Sequence, residues 1–126
     1  MQNSKLDKDP NIIVQKSFAL AIRTVKLYKF LVKEKKEYTL SKQLLRSGTS
    51  VGANVREAVA GYSKADFRAK ISIAQKEASE TEYWIQLLFE TDFLTEEEYK
   101  SFFKDANEVN KILSKILITS GKNKDK

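Results

Sequence analysis

Residues 63–92 read SKADFRAKISIAQKEASETEYWIQLLFETD, and within them Phe67, Ile71, Ala74, Ala78, Thr81, Ile85 and Leu88 recur at spacings of four and three. That period lays one stripe along a helix. Ser63, with Asp66 three residues later, is a capping-box-like start. The middle of the stretch is small (Ala74, Ala78, Ser79), which lets a neighbouring helix approach closely.

The same four-three spacing extends in both directions. Upstream, Leu44, Gly48, Val51, Val55, Ala58 and Tyr62 form a second stripe, with Thr39 placed to cap it and Gly61 to end it. Gly48 and Gly52 fall inside it. Each costs about 1 kcal/mol against alanine in a helix interior, so a kink or a close helix contact is expected there. Further upstream, Asp9-Pro10 signals a helix start. Val14, Phe18, Ala21, Val25, Tyr28 and Val32 then recur on one face, widened by Ile13, Leu20, Leu27 and Leu31. Downstream, Thr95 and Glu98 make a second capping box ahead of Tyr99, Phe102, Ala106, Val109, Leu113 and Ile116. The expected helices cover about 11–36, 40–61, 64–92 and 96–119, with 120–126 as a frayed tail. Short connections make successive helices antiparallel neighbours. The fold class is therefore all-α: one domain over 1–126, an up-down-up-down four-helix bundle with the left-handed twist that this spacing favours.

Composition agrees with this reading and narrows the chemistry. The chain has 126 residues, one proline and four glycines, with neither cysteine nor histidine. Without cysteine there is no disulfide scaffold, thiol nucleophile or sulfur-ligated zinc. Without histidine the usual general base, the usual metal ligand and every Ser-His-Asp device are gone. A non-enzyme with no cofactor and no metal is expected. Residues 1–10 mix lysines with aspartates and hold no apolar run, so they do not read as a signal peptide. No stretch reaches about 18 uncharged apolar residues. A cytoplasmic location is the default.

Some short motifs match catalytic patterns and fail on context. Gly48-Thr-Ser50-Val-Gly52 spells a nucleophile elbow, but that device needs a preceding strand and a histidine. Ser101-Phe-Phe-Lys104 matches S-x-x-K inside an aromatic core stripe, with no companion motif. Glu77, Glu80 and Glu82 suggest a carboxylate metal site, but bundle sites of that kind also use histidine. A structural role suits them better. With the second and third helices antiparallel about a turn near Tyr62, Arg46 lies level with Ala78 and within reach of Glu77 or Glu80. Asn54 lies level with Lys70 and Ile71. A partly buried Arg46–glutamate network is expected to fix register, with Ser47, Ser50 and Asn54 satisfying neighbours in the same layer.

The net charge of +6 is unevenly spread. Folded as a bundle, one end gathers residues 1–23, 52–76 and 107–126, with 14 basic and 6 acidic groups; the other end holds 9 and 11. From Glu77 to Tyr99 there are eight acidic residues and no basic one. The third helix carries bases first and acids last, opposing its own macrodipole. Local helix stability does not explain that order; a charged partner or a neighbouring subunit would. The basic end has the character of a phosphate-backbone footprint, with Arg23, Arg56, Lys64, Arg68 and Lys70 as the contacts. No base-reading motif accompanies them, so any binding to RNA or DNA is led by shape and charge.

The segment Leu44-Leu-Arg46-Ser47-Gly-Thr-Ser50-Val-Gly-Ala-Asn54-Val-Arg-Glu57, followed by Ser63-Lys-Ala-Asp-Phe67 and Ala74-Gln-Lys-Glu77-Ala-Ser-Glu80-Thr-Glu-Tyr-Trp84, resembles the bacterial four-helix-bundle proteins encoded in intervening sequences of 23S ribosomal RNA genes. The resemblance covers nearly the whole chain and is specific in the two central helices. Arg46, Ser47, Ser50, Asn54 and Glu57 match the second-helix motif; Glu77, Ser79, Glu80 and Trp84 match the third. The resemblance implies a homopentamer of bundles around a channel, as in the related accessory proteins of diversity-generating retroelements. Those relatives associate with nucleic acid and a reverse transcriptase. It implies no catalytic activity. Phe30, Leu31, Tyr38, Phe89, Phe93 and Phe103 offer the apolar surface that an oligomer would hide. The expected function is thus an oligomeric bundle that binds nucleic acid without sequence readout. The alternative is a scaffold that docks a partner protein.

Overall fold

The structure is a computed structural model that describes residues 11–124. It contains four helices: α1 (Ile12–Lys33), α2 (Leu40–Val59), α3 (Lys64–Glu90) and α4 (Glu96–Lys124). They pack as a square in which α1 and α3 each lie beside α2 and α4. Pairs such as Ser47–Thr81 and Glu57–Lys70 on one side, and Lys16–Glu108 and Arg23–Asp105 on the other, show that neighbours run antiparallel. This is the expected up-down-up-down bundle. Asp9-Pro10, residues 1–10 as a whole and the last two residues lie outside the described residues.

Three helices carry the expected stripes into the core, except that Tyr62 lies past the end of α2 and is fully exposed. Leu44, Val51, Val55 and Ala58 of α2, Ile71, Ala74, Ala78, Ile85 and Leu88 of α3, and Phe102, Ala106, Val109 and Leu113 of α4 are all buried. Each fully buried large apolar side chain adds about 1.5–3 kcal/mol over leaving it exposed.

In α1 the core face differs from the expected one. Ile13, Ser17, Leu20, Thr24 and Leu31 are buried, whereas Val14, Ala21, Val25, Tyr28 and Val32 are only half-buried and Phe18 is exposed. The reason lies in α2. A Cβ on Gly48 would meet the Thr24 side chain, at 2.6 Å from Cγ2, and one on Gly52 would lie 3.2 Å from the Ser17 carbonyl. The glycines let α1 and α2 touch backbone to side chain, and only small residues fit that seam. Their hydroxyls bond back to their own helix, Thr24 Oγ1 donating to the Leu20 carbonyl at 2.7 Å and Ser17 Oγ to Val14 at 3.3 Å. Burial therefore leaves no polar group unmet. Of the two expected outcomes at the glycines, the close contact is the one present, and α2 runs through unbroken.

The helix ends show further differences. α1 stops at Lys33 rather than near 36, because Lys36 turns into the left-handed region (φ 56°) and the Glu37 N–H returns to the Leu31 carbonyl at 3.0 Å. α2 ends at Val59, and Gly61 does not take a positive φ. Thr39 occupies the cap position of α2 without a side-chain bond. Glu37 does the capping instead: its carboxylate accepts the N–H groups of Thr39, Leu40 and Ser41 at 3.2, 2.9 and 2.6 Å. Ser63 caps α3 by accepting the Asp66 N–H at 3.0 Å. Thr95 and Glu98 form the full reciprocal box at α4. α4 continues to Lys124, so residues 120–124 are helix and not the expected frayed tail.

Candidate nucleic-acid interface

The turn between α2 and α3 brings the end of α2, the start of α3, the start of α1 and the end of α4 to one end of the bundle. Arg56, Lys64, Arg68, Lys70, Lys111 and Lys115 gather there, and they are not equivalent. Lys70 Nζ lies 2.8 Å from the Glu57 carboxylate, so its charge is met within the chain. Lys16 is likewise paired with Glu108 at 3.1 Å. Arg56 has no carboxylate partner among the described residues; its guanidinium lies over the Phe18 ring at 4.8 Å from the centroid. Lys64, exposed at the first turn of α3, is also without an acidic partner among them.

Arg68 is half-buried and turned toward α4. It donates to the Leu117 carbonyl at 2.7 Å and to the Ser120 hydroxyl, and its guanidinium packs on Gly121. These bonds serve carbonyl and hydroxyl groups near the C-terminus of α4, where a cation is favoured. They account for helix continuing past residue 119. Because its partners are neutral, Arg68 keeps its charge. It forms one wall of a hollow of about 370 Å³ whose other lining residues are Lys64, Ala65, Ala69 and Ser72.

Arg23 does not belong to this group. It lies along the α1–α4 seam, with Nη1 2.7 Å from Asp105 and 3.1 Å from the Ser101 carbonyl, and with its guanidinium 5.3 Å from the Phe102 ring centroid. Its position in sequence put it at the basic end; its geometry makes it a strut between helices. Of the five expected phosphate contacts, Arg56, Lys64 and Arg68 are left at this end without a carboxylate partner among the described residues, Arg56 on the side toward α1 and Arg68 on the side toward α4, while Lys70 is neutralised and Arg23 diverted.

The expected polar layer sits deeper along α2 and α3. Arg46 bonds both carboxylates, Nη1 to Glu77 at 3.1 Å and Nη2 to Glu80, and the Trp84 Nε1–H also donates to Glu80 at 3.0 Å. The Trp84 hydrogen bond holds the Glu80 carboxyl below the usual carboxylate range; burial opposes this and Arg46 reinforces it. Arg46 itself is nearly half exposed, so this layer is wetter than expected. One level inward, buried Thr81 donates to Ser47 at 3.0 Å. Ser50 and Asn54 stay local. Ser50 bonds the Arg46 carbonyl at 2.6 Å, and the Asn54 side chain bonds the Ser50 carbonyl at 2.9 Å. Neither bond crosses to α3. Glu57 lies outside the layer and pairs with Lys70. Ser79 accepts from Asn110 of α4 at 3.0 Å.

Residues 9–115 match the family model described as 23S rRNA-intervening sequence protein. The chain belongs to this family. A crystal structure of a protein of unknown function from the S23 ribosomal protein family of Bacteroides thetaiotaomicron VPI-5482 is 54% identical to it. That similarity covers 85% of this chain and 96% of the other, with a TM-score of 0.84. No curated protein matches it. Within the family fold, Glu37 is the residue that sequence reading missed. An acidic residue three positions before the first helical residue is the usable signal. Among the described residues no helix is long and apolar enough to cross a membrane.

Proposed function

We propose that this family member is a non-enzymatic, oligomeric bundle that binds the phosphate backbone of RNA or DNA without reading sequence. The observation that carries the proposal is the set of cations at the α2–α3 turn whose charge no carboxylate meets. Arg56 and Lys64 are free of acidic partners among the described residues, and Arg68 bonds only neutral groups. A surface of this kind releases counterions from a polyanion. Phosphate contacts of this kind would position the nucleic acid without specifying its sequence.

Charge reversal tests the assignment. Arg56→Glu with Lys64→Glu should weaken binding to a structured RNA and to a duplex DNA alike, and should flatten the salt dependence. Arg23→Gln should leave the salt slope unchanged, because Asp105 already neutralises that side chain. A slope unaffected by the double reversal sinks the assignment. Capture of a protein partner that survives nuclease and high salt would favour the scaffold reading.

A further inference from the structure

Most aromatic rings of the chain are placed by the bundle itself. Phe30, Phe89, Phe93 and Phe103, expected on an oligomer surface, pack half-buried against the core, and Leu31 lies fully inside it. Tyr99 stacks on Phe89 with centroids 4.6 Å apart, Tyr83 meets Trp84 edge-on at 4.9 Å, and Phe18 carries the Arg56 guanidinium. Tyr62 has no such placement. It is 101% exposed, and among the described residues its ring meets no other ring or cation and its hydroxyl has no hydrogen-bond partner.

Local helix stability does not account for this ring. Tyr62 immediately precedes Ser63, the cap of α3, and an apolar residue there often packs on the fourth residue of the helix, here Phe67. Phe67 packs on the core instead, and the full exposure of Tyr62 rules that contact out. The backbone beneath the ring is nevertheless fixed. The Gly61 N–H donates to the Ala58 carbonyl at 3.1 Å, the Ser63 hydroxyl accepts the Asp66 N–H at 3.0 Å, and the Phe67 N–H donates to the Ser63 carbonyl at 3.0 Å. A Cβ on Gly61 would lie 3.2 Å from the Ala58 carbonyl oxygen, so the turn is also tight. Only the torsions of the Tyr62 side chain itself remain to be ordered when a flat partner lands on it.

The surroundings select that partner. Tyr62 stands on the connection between α2 and α3, with Arg56 on the side toward α1, Arg68 on the side toward α4, and Lys64 two residues along. Between Arg56 and Arg68 the acidic residues are Glu57, which Lys70 neutralises, and Asp66. An uncovered ring is thus flanked by cations that no carboxylate meets. The polyanion that carries free flat faces is a nucleic acid with unpaired bases; in a duplex those faces are already stacked on one another, and exposing one costs energy.

We propose that Tyr62 is a stacking platform for an unpaired base, so that this end of the bundle engages a single strand or an RNA loop. This rests on the phosphate-binding reading above and names its substrate class. Every base has a π-face, so the platform adds affinity for unpaired nucleotides without adding a sequence code.

Fluorescence anisotropy tests it, with a labelled single-stranded RNA of mixed sequence and a duplex of the same length, and with circular dichroism confirming that each variant folds. Tyr62→Ala should weaken binding to the single strand by about 5- to 150-fold and leave binding to the duplex unchanged. The salt slope on both should stay as it was, because no charge is removed. Tyr62→Phe keeps the ring face and should keep the single-strand affinity. Equal losses on both ligands, no loss on the single strand, or a loss with Tyr62→Phe as large as with Tyr62→Ala would each overturn the platform and leave the phosphate reading standing. Wild-type protein that binds neither ligand defeats the phosphate reading itself, and the platform with it.

Discussion

At the scale of single residues, the positions that govern this molecule are small or buried polar ones. Gly48 sits against Thr24 so tightly that any Cβ forces a shift in the seam between α1 and α2. Gly48→Ala should cost about 1–3 kcal/mol by overpacking, despite alanine's better helix propensity. Thr24→Ala in the same chain should recover part of it; urea denaturation of the four variants reads both. The glycine contact was legible from the stripe. Its consequence for α1 was not, because counting apolar residues selects Val14, Phe18 and Val25, while the wall of the seam needs Ser17 and Thr24. Glu37 is the second such residue. Burial raises its carboxyl's pKa, but the three backbone N–H donors outweigh that and hold it below the usual carboxylate range. Since the folded carboxyl binds its proton less tightly than the unfolded one, its stabilisation is complete above the usual carboxylate range. It is lost as the pH falls through that range to the lower folded value. Glu37→Gln should cost about 1 kcal/mol near neutral pH, as for other lost caps. It should also flatten the acid limb of stability against pH, measured by denaturant midpoint.

At the scale of helices, capping signals and four-three spacing placed α2, α3 and α4 within a few residues, because Ser63 and the Thr95–Glu98 pair act locally and owe nothing to tertiary packing. The end of α4 was misplaced for the opposite reason: Ser120-Gly121 reads as a helix stop, and the brace that overrides it comes from Arg68 on another helix. Arg68→Met should keep the fold yet let the last two turns of α4 fray, seen as faster amide hydrogen exchange confined to that segment. Unchanged exchange there would show that α4 needs no brace. The Arg46–Glu77–Glu80 layer followed from antiparallel register alone. Being half exposed, it is a modest stabiliser; Glu80→Gln should cost at most about 1 kcal/mol in a denaturation experiment.

At the scale of the whole molecule, the sum of charges by bundle end overstates the free charge at the basic end. Lys70, Lys16 and Arg23 are paired inside the chain, and pairing across 13 to 92 residues of sequence depends on side-chain geometry that no count reveals. The fold class and the family were legible because periodicity and the two central helices carry them. Which cations lack partners and which apolar groups stay outside was not. The most direct test of the central claim is the salt dependence of binding to a structured RNA and to a duplex DNA of equal length, on nuclease-treated protein. If Arg56, Lys64 and Arg68 each neutralise a phosphate, log K should fall with log salt with a slope of roughly −2 to −3 per engaged copy on both ligands. A flat dependence, or no binding near about 50 mM salt where such contacts are strongest, would contradict the account.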